Sequence, residues 1–342
     1  MSARGVWIVG AGARVRDAFL PVFRALQEQC EVRGLLARSA RILETEAQSY
    51  PVRALGSLTQ SDLVPGDLVV IAVSKQSVPD VLAQLTELDV SQVDLLIDTP
   101  VVRFRLFYHW KRVLAFRAAW VAEDCADLPW IETVRLALEA ELIGDLRELW
   151  FEHSAYAYHA IATAKALVGE SRVRSGRRTK REGEFVRRLR FASGVSALQT
   201  EPCRYAEGSI RIIGSTGVIS DLSPDAEGGL HLQARTKGGA VVGFRIGEIE
   251  TNLSSMESSL TVGDPADASV IQRQAAMKRV GLLRILKRIG DGYSGYTIAD
   301  GLDDMVVDYH LEKFGRYRAN PITSFDSPLA RLLFGALTRI GN

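Results

Sequence analysis

Three things are scarce in this chain, and each scarcity removes a class of protein. There are three cysteines in 342 residues, Cys30, Cys125 and Cys203. They are odd in number, far apart and without metal-ligand spacing, which fits a reducing cytoplasm and points to no disulfide framework and no metal site. Charge of one sign is missing too: 42 Lys and Arg against 41 Asp and Glu leave a net charge of +1, so nothing global pulls the chain toward nucleic acid or an anionic membrane. No apolar run approaches the ~20 residues that span a bilayer. The N-terminus enters its first strand without the basic and apolar regions of an export signal. The expectation is a cytoplasmic protein acting on a small molecule, with no nucleic-acid partner and no membrane-spanning segment. Apolar content, by contrast, is ample at 47%, and the length exceeds what one core usually organises, so two domains are expected.

The opening stretch carries the chemistry. The apolar run Val6 to Val9 leads into Gly10-Ala11-Gly12-Ala13-Arg14-Val15 and then an amphipathic segment from Arg16 to Gln27. A buried strand that turns on glycines into a helix presents free backbone N–H groups and a positive dipole end, which together make a pyrophosphate site. Gly10 and Gly12 fill the first two glycine places of G-x-G-x-x-G, while Val15 stands where the third glycine or alanine belongs. The competing account is a turn that needs glycine only for positive φ.

A regular alternation follows. Residues 31–37 read as a second strand, Ala40 to Gln48 as a helix, Val52 to Ala54 as a weak third strand, Asp67 to Val73 as a fully apolar fourth, Val78 to Leu88 as a helix and Val93 to Asp98 as a further strand. Continuous Val/Ile/Leu strands separated by helices indicate a doubly wound parallel sheet covered on both faces, a Rossmann-type domain. Ala72 and Val73, at the end of the fourth strand, and Asp98, at the end of the last, lie where such a sheet binds its ligand. The second strand ends in Ala37-Arg38-Ser39 with no carboxylate. An acidic residue there would select NAD, whereas arginine beside a small hydroxyl suits a 2′-phosphate, so NADP is favoured with NAD possible. The competing account of Arg38 is a solvated residue at a helix start.

The second half changes period. Runs at Arg188–Ala192, Val195–Gln199, Ser209–Gly214, Gly217–Ser220, Leu230–Arg235 and Val241–Ile246 alternate apolar and polar residues between glycine-bearing turns, which indicates an antiparallel sheet with one wet face. Two helical segments follow, Ala266 to Ile289, interrupted by Gly281, and Ile298 to Phe314. Asp127 reads as an N-cap before a helix ending near Leu142, with Glu123 or Asp124 facing a pocket.

These ordered words resemble the Gfo/Idh/MocA oxidoreductases across roughly residues 5–318. The glycine turn, Asp67 to Ala72, Asp98-Thr99-Pro100 in the place of Glu-Lys-Pro, Glu141-Leu-Ile-Gly144-Asp145-Leu, Tyr158-His159 heading a helix that ends at Gly169, and Ile210 to Gly217 all have counterparts there. The resemblance implies residues 1–122 as an NAD(P)-binding Rossmann domain. It implies 123–318 as a substrate and oligomerisation domain built on a large, mainly antiparallel open sheet, leaving 319–342 as a tail. It further implies hydride transfer with a small polar or cyclic metabolite, and a homodimer or higher assembly on the open sheet.

The departures bear on activity. Thr99 replaces the lysine that donates to the reacting oxygen, and a neutral hydroxyl can position a group but supplies no charged proton donor. Members without that lysine reduce substrates whose acceptor is already polarised, as the biliverdin-reductase branch implies. Pro100 survives as a turn former able to take a cis bond. His159 matches the family's proton-handling histidine, with Tyr158 or Tyr156 as helper, but Ala162 and Thr163 stand where an aspartate is expected. The candidate substrate residues are Glu123, Asp124 and Tyr156. A rival class is a catalytically degenerate binding or assembly protein in a biosynthetic pathway, since fold outlives a lost site. A third account is a lyase or hydrolase using the dinucleotide transiently. Two features stand apart: a basic cluster from Arg172 to Arg190, fit for an anion or for solvated strand edges, and an amphipathic tail, Leu329 to Ile340, fit to dock on its own domain, a second subunit or a membrane surface.

Overall fold

The computed structural model describes residues 3–101, 110–222, 229–263, 268–291 and 296–319. The described residues fold into two compact units, one made of Met1–Glu123 with Ile285–Met305, the other of Asp124–Arg284 with the described residues from Val306 to Ala319. The tail anticipated at Leu329 to Ile340 lies outside the described residues.

Seven strands build the sheet of the first unit: β1 (Arg4–Val9), β2 (Cys30–Ala37), β3 (Arg41–Glu44), β4 (Ser49–Ala54), β5 (Leu68–Ile71), β6 (Asp94–Asp98) and β7 (Ala118–Ala122), in the order β3-β4-β2-β1-β5-β6-β7. All neighbours pair in parallel except β3 with β4. Strands β1 and β5 sit at the centre, which is why Val6, Ile8 and Leu68 to Ile71 are apolar and at most 1% exposed. Helices α1 (Leu20–Ala25), α2 (Val78–Leu85) and α3 (Trp110–Val113) serve as connections. The helix expected from Ala40 to Gln48 is absent. Its residues form β3 and the turn Thr45–Gln48, closed by Thr45 Oγ1 donating to the Gln48 carbonyl at 2.7 Å. Strand β7, which the sequence pattern did not announce, is alanine-rich and closes the other edge.

The second unit holds α4 (Trp130–Glu139), β8 (Leu146–Glu152), α5 (Ala157–Val168), β9 (Ser175–Arg181), β10 (Glu184–Arg190), β11 (Ser196–Glu201), β12 (Ser209–Gly214), β13 (Val218–Ser220) and β14 (Gly229–His231). It continues with β15 (Gln233–Lys237), β16 (Ala240–Ile246), β17 (Ile249–Asn252) and α6 (Ser255–Ser259). The long helices α7 (Gln274–Gly290) and α8 (Ile298–Phe314) and the short strand β18 (Arg316–Arg318) complete the chain, both helices continuing from one unit's residues into the other's. Eight strands form one sheet in the order β14-β13-β12-β8-β11-β10-β9-β18, antiparallel except for β8 with β11 and β13 with β14. A separate sheet has the order β15-β16-β17. The single run anticipated at Leu230–Arg235 is therefore divided between two sheets, with the break at Leu232, which is 1% exposed. Helix α4 begins after Pro129 with no side-chain cap, so Asp127 is not the N-cap expected; the proline's fixed φ opens the helix instead.

Candidate functional site

The strand-to-helix turn of the first unit is built on two glycines with different duties. Gly10 has φ +137°, and a Cβ there would lie 2.2 Å from the Ala72 carbonyl oxygen, so no other residue fits between β1 and β5. Its N–H donates to the Leu36 carbonyl at 2.8 Å, tying the turn to β2 as well. At Gly12 a Cβ would meet nothing within 4 Å. The Arg16 N–H donates back to the Gly12 carbonyl at 3.1 Å, so the helical winding starts just beyond this glycine, and a helix start carries a positive dipole end. Val15, in the third glycine's place, is fully buried, and the chain from Val15 to Phe19 winds as a π-helix before α1. A branched side chain against the strand is accommodated by that wider turn.

Charged groups gather at the same end of the sheet. Arg14 donates from Nη2 to Asp98 at 3.1 Å and from Nε at 3.2 Å, and its guanidinium lies 5.4 Å from the Phe19 ring centre. Because β5 lies between β1 and β6, this ion pair crosses the carboxyl end of the central strands, where an open α/β sheet binds ligands. Arg41 Nη2 donates to the Ala11 carbonyl at 2.7 Å, inside the glycine turn. Arg38 and Ser39 follow β2 and are exposed. No residue pattern pointed to Arg41 in this role, because a helix from Ala40 would have carried it away, whereas β3 turns it back over the loop. Thr99 and Pro100 follow β6, half-buried, and their peptide bond is cis. Glu123, 2% exposed, closes this stretch of the first unit. Desolvation, with Asp304 and Glu123 adding negative charge, pushes the Tyr296 phenol well above its ordinary pKa while it donates a hydrogen bond to Asp304.

In the second unit, Asp124, Cys125 and His159 are 0%, 1% and 5% exposed, and each places one titratable or ligating atom within 4.8 Å of the others. His159 sits in the first turn of α5, which ends as expected at Gly169 with φ +74°. Thr163, where the family's aspartate was sought, donates its hydroxyl to the Cys125 carbonyl at 2.9 Å and so fastens α5 to the turn Asp124–Ala126. Gln274 Nε2 approaches Cys125 Sγ at 3.8 Å. The Tyr158 ring centre is 4.4 Å from that of His159 and the Tyr156 centre 6.3 Å. Tyr156 is 53% exposed and packs edge-on against Tyr205, whose phenol is pushed up by desolvation. A carboxylate, a thiol and an imidazole in a dry cluster can exchange a proton or grip a cation. Nothing in residue spacing announces it, since the cysteine and histidine come from different elements.

A parallel nucleotide-binding-type sheet followed by a largely antiparallel open sheet, with the glycine turn at the head of the first, is the fold of the Gfo/Idh/MocA-type oxidoreductases. By sequence the chain matches no family model and no curated protein. By structure it is similar to an oxidoreductase from Thermotoga maritima, with TM-score 0.63 and 12% identity over 92% of this chain and 98% of that one. A levoglucosan dehydrogenase solved with NADH and levoglucosan gives TM-score 0.60 and 14% identity over 92% and 99%. A myo-inositol dehydrogenase from Corynebacterium glutamicum gives 0.59 and 12% over 93% and 99%.

Proposed function

We propose that this chain is an NAD(P)-dependent oxidoreductase that moves a hydride between NADP(H) and a small polar or cyclic metabolite. The observation that carries the proposal is Gly12, a glycine whose missing side chain would touch no atom of the chain within 4 Å. Packing does not require it. The glycine therefore answers to something that approaches the turn from outside, and main-chain donors at a helix start suit a diphosphate. Gly10, Gly12, Ala13 and Arg14 would hold that diphosphate, with Ala72, Val73, Asp98 and Pro100 lining the rest of the cofactor's path and Arg38 and Ser39 taking a 2′-phosphate. The bound cofactor supplies or accepts the hydride. His159 handles the proton, assisted by Tyr158, and Thr99 positions the reacting oxygen without charging it. Glu123, Asp124 and Tyr156 orient the substrate. The NADH and levoglucosan bound by one protein of the same fold support a nicotinamide cofactor and a small hydroxylated substrate. A homodimer or higher assembly in the cytoplasm accompanies this reading.

One observation favours the second reading, a degenerate binding or assembly protein: the Arg14–Asp98 pair spans the ends of the central strands. A coenzyme must displace that pair or share its cation. Calorimetric titration with NADPH and with NADH decides between the two. Under the first reading NADPH binds more tightly than NADH, Arg38→Ala removes that preference, and Gly12→Val weakens both. If neither coenzyme binds the intact chain, the assembly reading stands. If Arg38→Ala leaves NADPH affinity unchanged, the cofactor assignment is wrong.

A further inference from the structure

The basic cluster of the second unit is not spread along strand edges. Strand β9 is flanked by β10 and β18, and β10 by β9 and β11, so both are interior strands. Cations that merely discouraged edge pairing would not be needed there. The alternation of the strands divides the arginines between two faces. On one face both arginines are answered: Arg178 Nε meets Glu201 at 2.9 Å, and the buried Arg187 meets both Glu201 and Asp308. On the other, Arg177 stands directly opposite Arg188 on β10 and opposite Arg316 on β18, while Arg190 is opposite Ser175. Among the described residues no carboxylate pairs with Arg177, Arg188, Arg190 or Arg316.

Like charges directly across a ladder destabilise a sheet unless something lies between them. Here they also line a space. A cavity of about 550 Å³ is walled by Arg177, Arg181, Arg188 and Arg190, with the polar side chains of Ser175 and Thr179 and an apolar floor of Val186 and Leu198. That volume fits a small organic ligand. A single carboxylate offers two oxygens in one plane and one charge, which can serve one fork. Phosphate groups offer several oxygens in different directions, so they can accept from forks arriving from different strands and carry charge to match.

We propose that this cavity binds a small molecule carrying two or more phosphate groups, at a site separate from the glycine turn. The test is calorimetric titration of the full chain with inorganic pyrophosphate at low salt, with circular dichroism confirming that each variant folds. One saturable equivalent is expected in the intact chain. Arg188→Ser weakens it by about tenfold or more, the loss of one charge-assisted contact. Arg188→Lys, which keeps the charge and loses the fork, falls between. Gly12→Val and Arg174→Ser, the latter in the same basic segment but outside the cavity lining, leave this equivalent intact. The proposal is overturned by absence of saturable binding, by loss of the equivalent in Gly12→Val with retention in Arg188→Ser, or by equal weakening in Arg174→Ser. It is also overturned if Arg188→Ser only turns a dimer into a monomer in sedimentation velocity, with pyrophosphate binding unchanged, since a second copy would then be what answers these charges.

Discussion

Gly10 and Gly12 look alike in the sequence and are opposite in kind. Gly10→Ala puts a methyl 2.2 Å from the Ala72 carbonyl at φ +137°, so steric overlap and backbone strain combine. A loss of roughly 2–4 kcal/mol is expected in urea unfolding. Gly12→Ala meets nothing and has no positive φ. It is expected to fold within about 0.5 kcal/mol of the parent, or slightly above it, because alanine narrows the unfolded ensemble. The pair thus separates a glycine required by the chain from one kept open for a ligand, and equal destabilisation of the two would remove the argument for a seat at Gly12. Asp98 is the other decisive residue. At an effective dielectric of ~20, unit charges ~4 Å apart attract by about 4 kcal/mol before desolvation is counted, so Asp98 competes for the guanidinium that a diphosphate would use. Asp98→Asn keeps the shape and removes the competitor, and it should tighten binding of NADPH at the turn by about three- to tenfold. Weaker binding would mean that Asp98 itself serves the ligand.

At the scale of elements, Gly281 shows where sequence and structure part. In the sequence it interrupts a helix; α7 nevertheless runs through it unbroken, and a Cβ there would lie 2.5 Å from the Asp124 carbonyl oxygen. The glycine lets the helix approach the turn that carries Asp124 and Cys125. Gly281→Ala should therefore cost about 1–3 kcal/mol despite alanine's better helix propensity, and a stabilised variant would disprove the contact. What was legible from period and punctuation was the glycine turn, the central strands, α8 and most of the antiparallel strands, while α5 with its Gly169 stop was legible through the family resemblance. What was not legible depended on partners distant in the chain. Ala40 to Gln48 is composed of good helix formers, yet Arg41–Glu44 finds Ser49–Val52 as an antiparallel neighbour, and pairing outweighs propensity. Strand β7 has alanine at three of its five places and so carries little strand propensity of its own; its pairing with β6 makes it a strand. The cluster of Asp124, Cys125 and His159 exists only once Thr163 has joined α5 to the turn. A smaller element carries its own pH test. Asp62 accepts from Arg53 and from the Thr59 N–H, and these bonds hold its carboxyl down to about 2. With the folded pKa below the unfolded value near 3.9, the stabilisation is complete above pH ~4 and disappears as pH falls toward 2. Asp62→Asn should flatten the acid limb of the stability profile in that window and nowhere else.

For the molecule as a whole, binding and folding are linked. A coenzyme that binds only the folded chain adds RT ln(1 + [L]/Kd), about 2.7 kcal/mol at a hundredfold excess over Kd. For a chain of this length that corresponds to a rise of a few degrees in melting temperature. The gain requires that the row of main-chain donors after Gly12 be reachable in solution, so thermal melts report on the site without any substrate being known. Parent protein with NADPH should melt higher than without it, and NADH should raise the midpoint less at the same concentration. Gly12→Val, whose own stability is expected to be nearly unchanged, should lose the increment. Arg188→Ser should keep it, because its cavity belongs to the other unit. If the increment survives Gly12→Val and disappears with Arg188→Ser, the dinucleotide is being held by the arginine cavity, and the strand-to-helix turn is an architectural remnant whose Arg14–Asp98 pair keeps it shut.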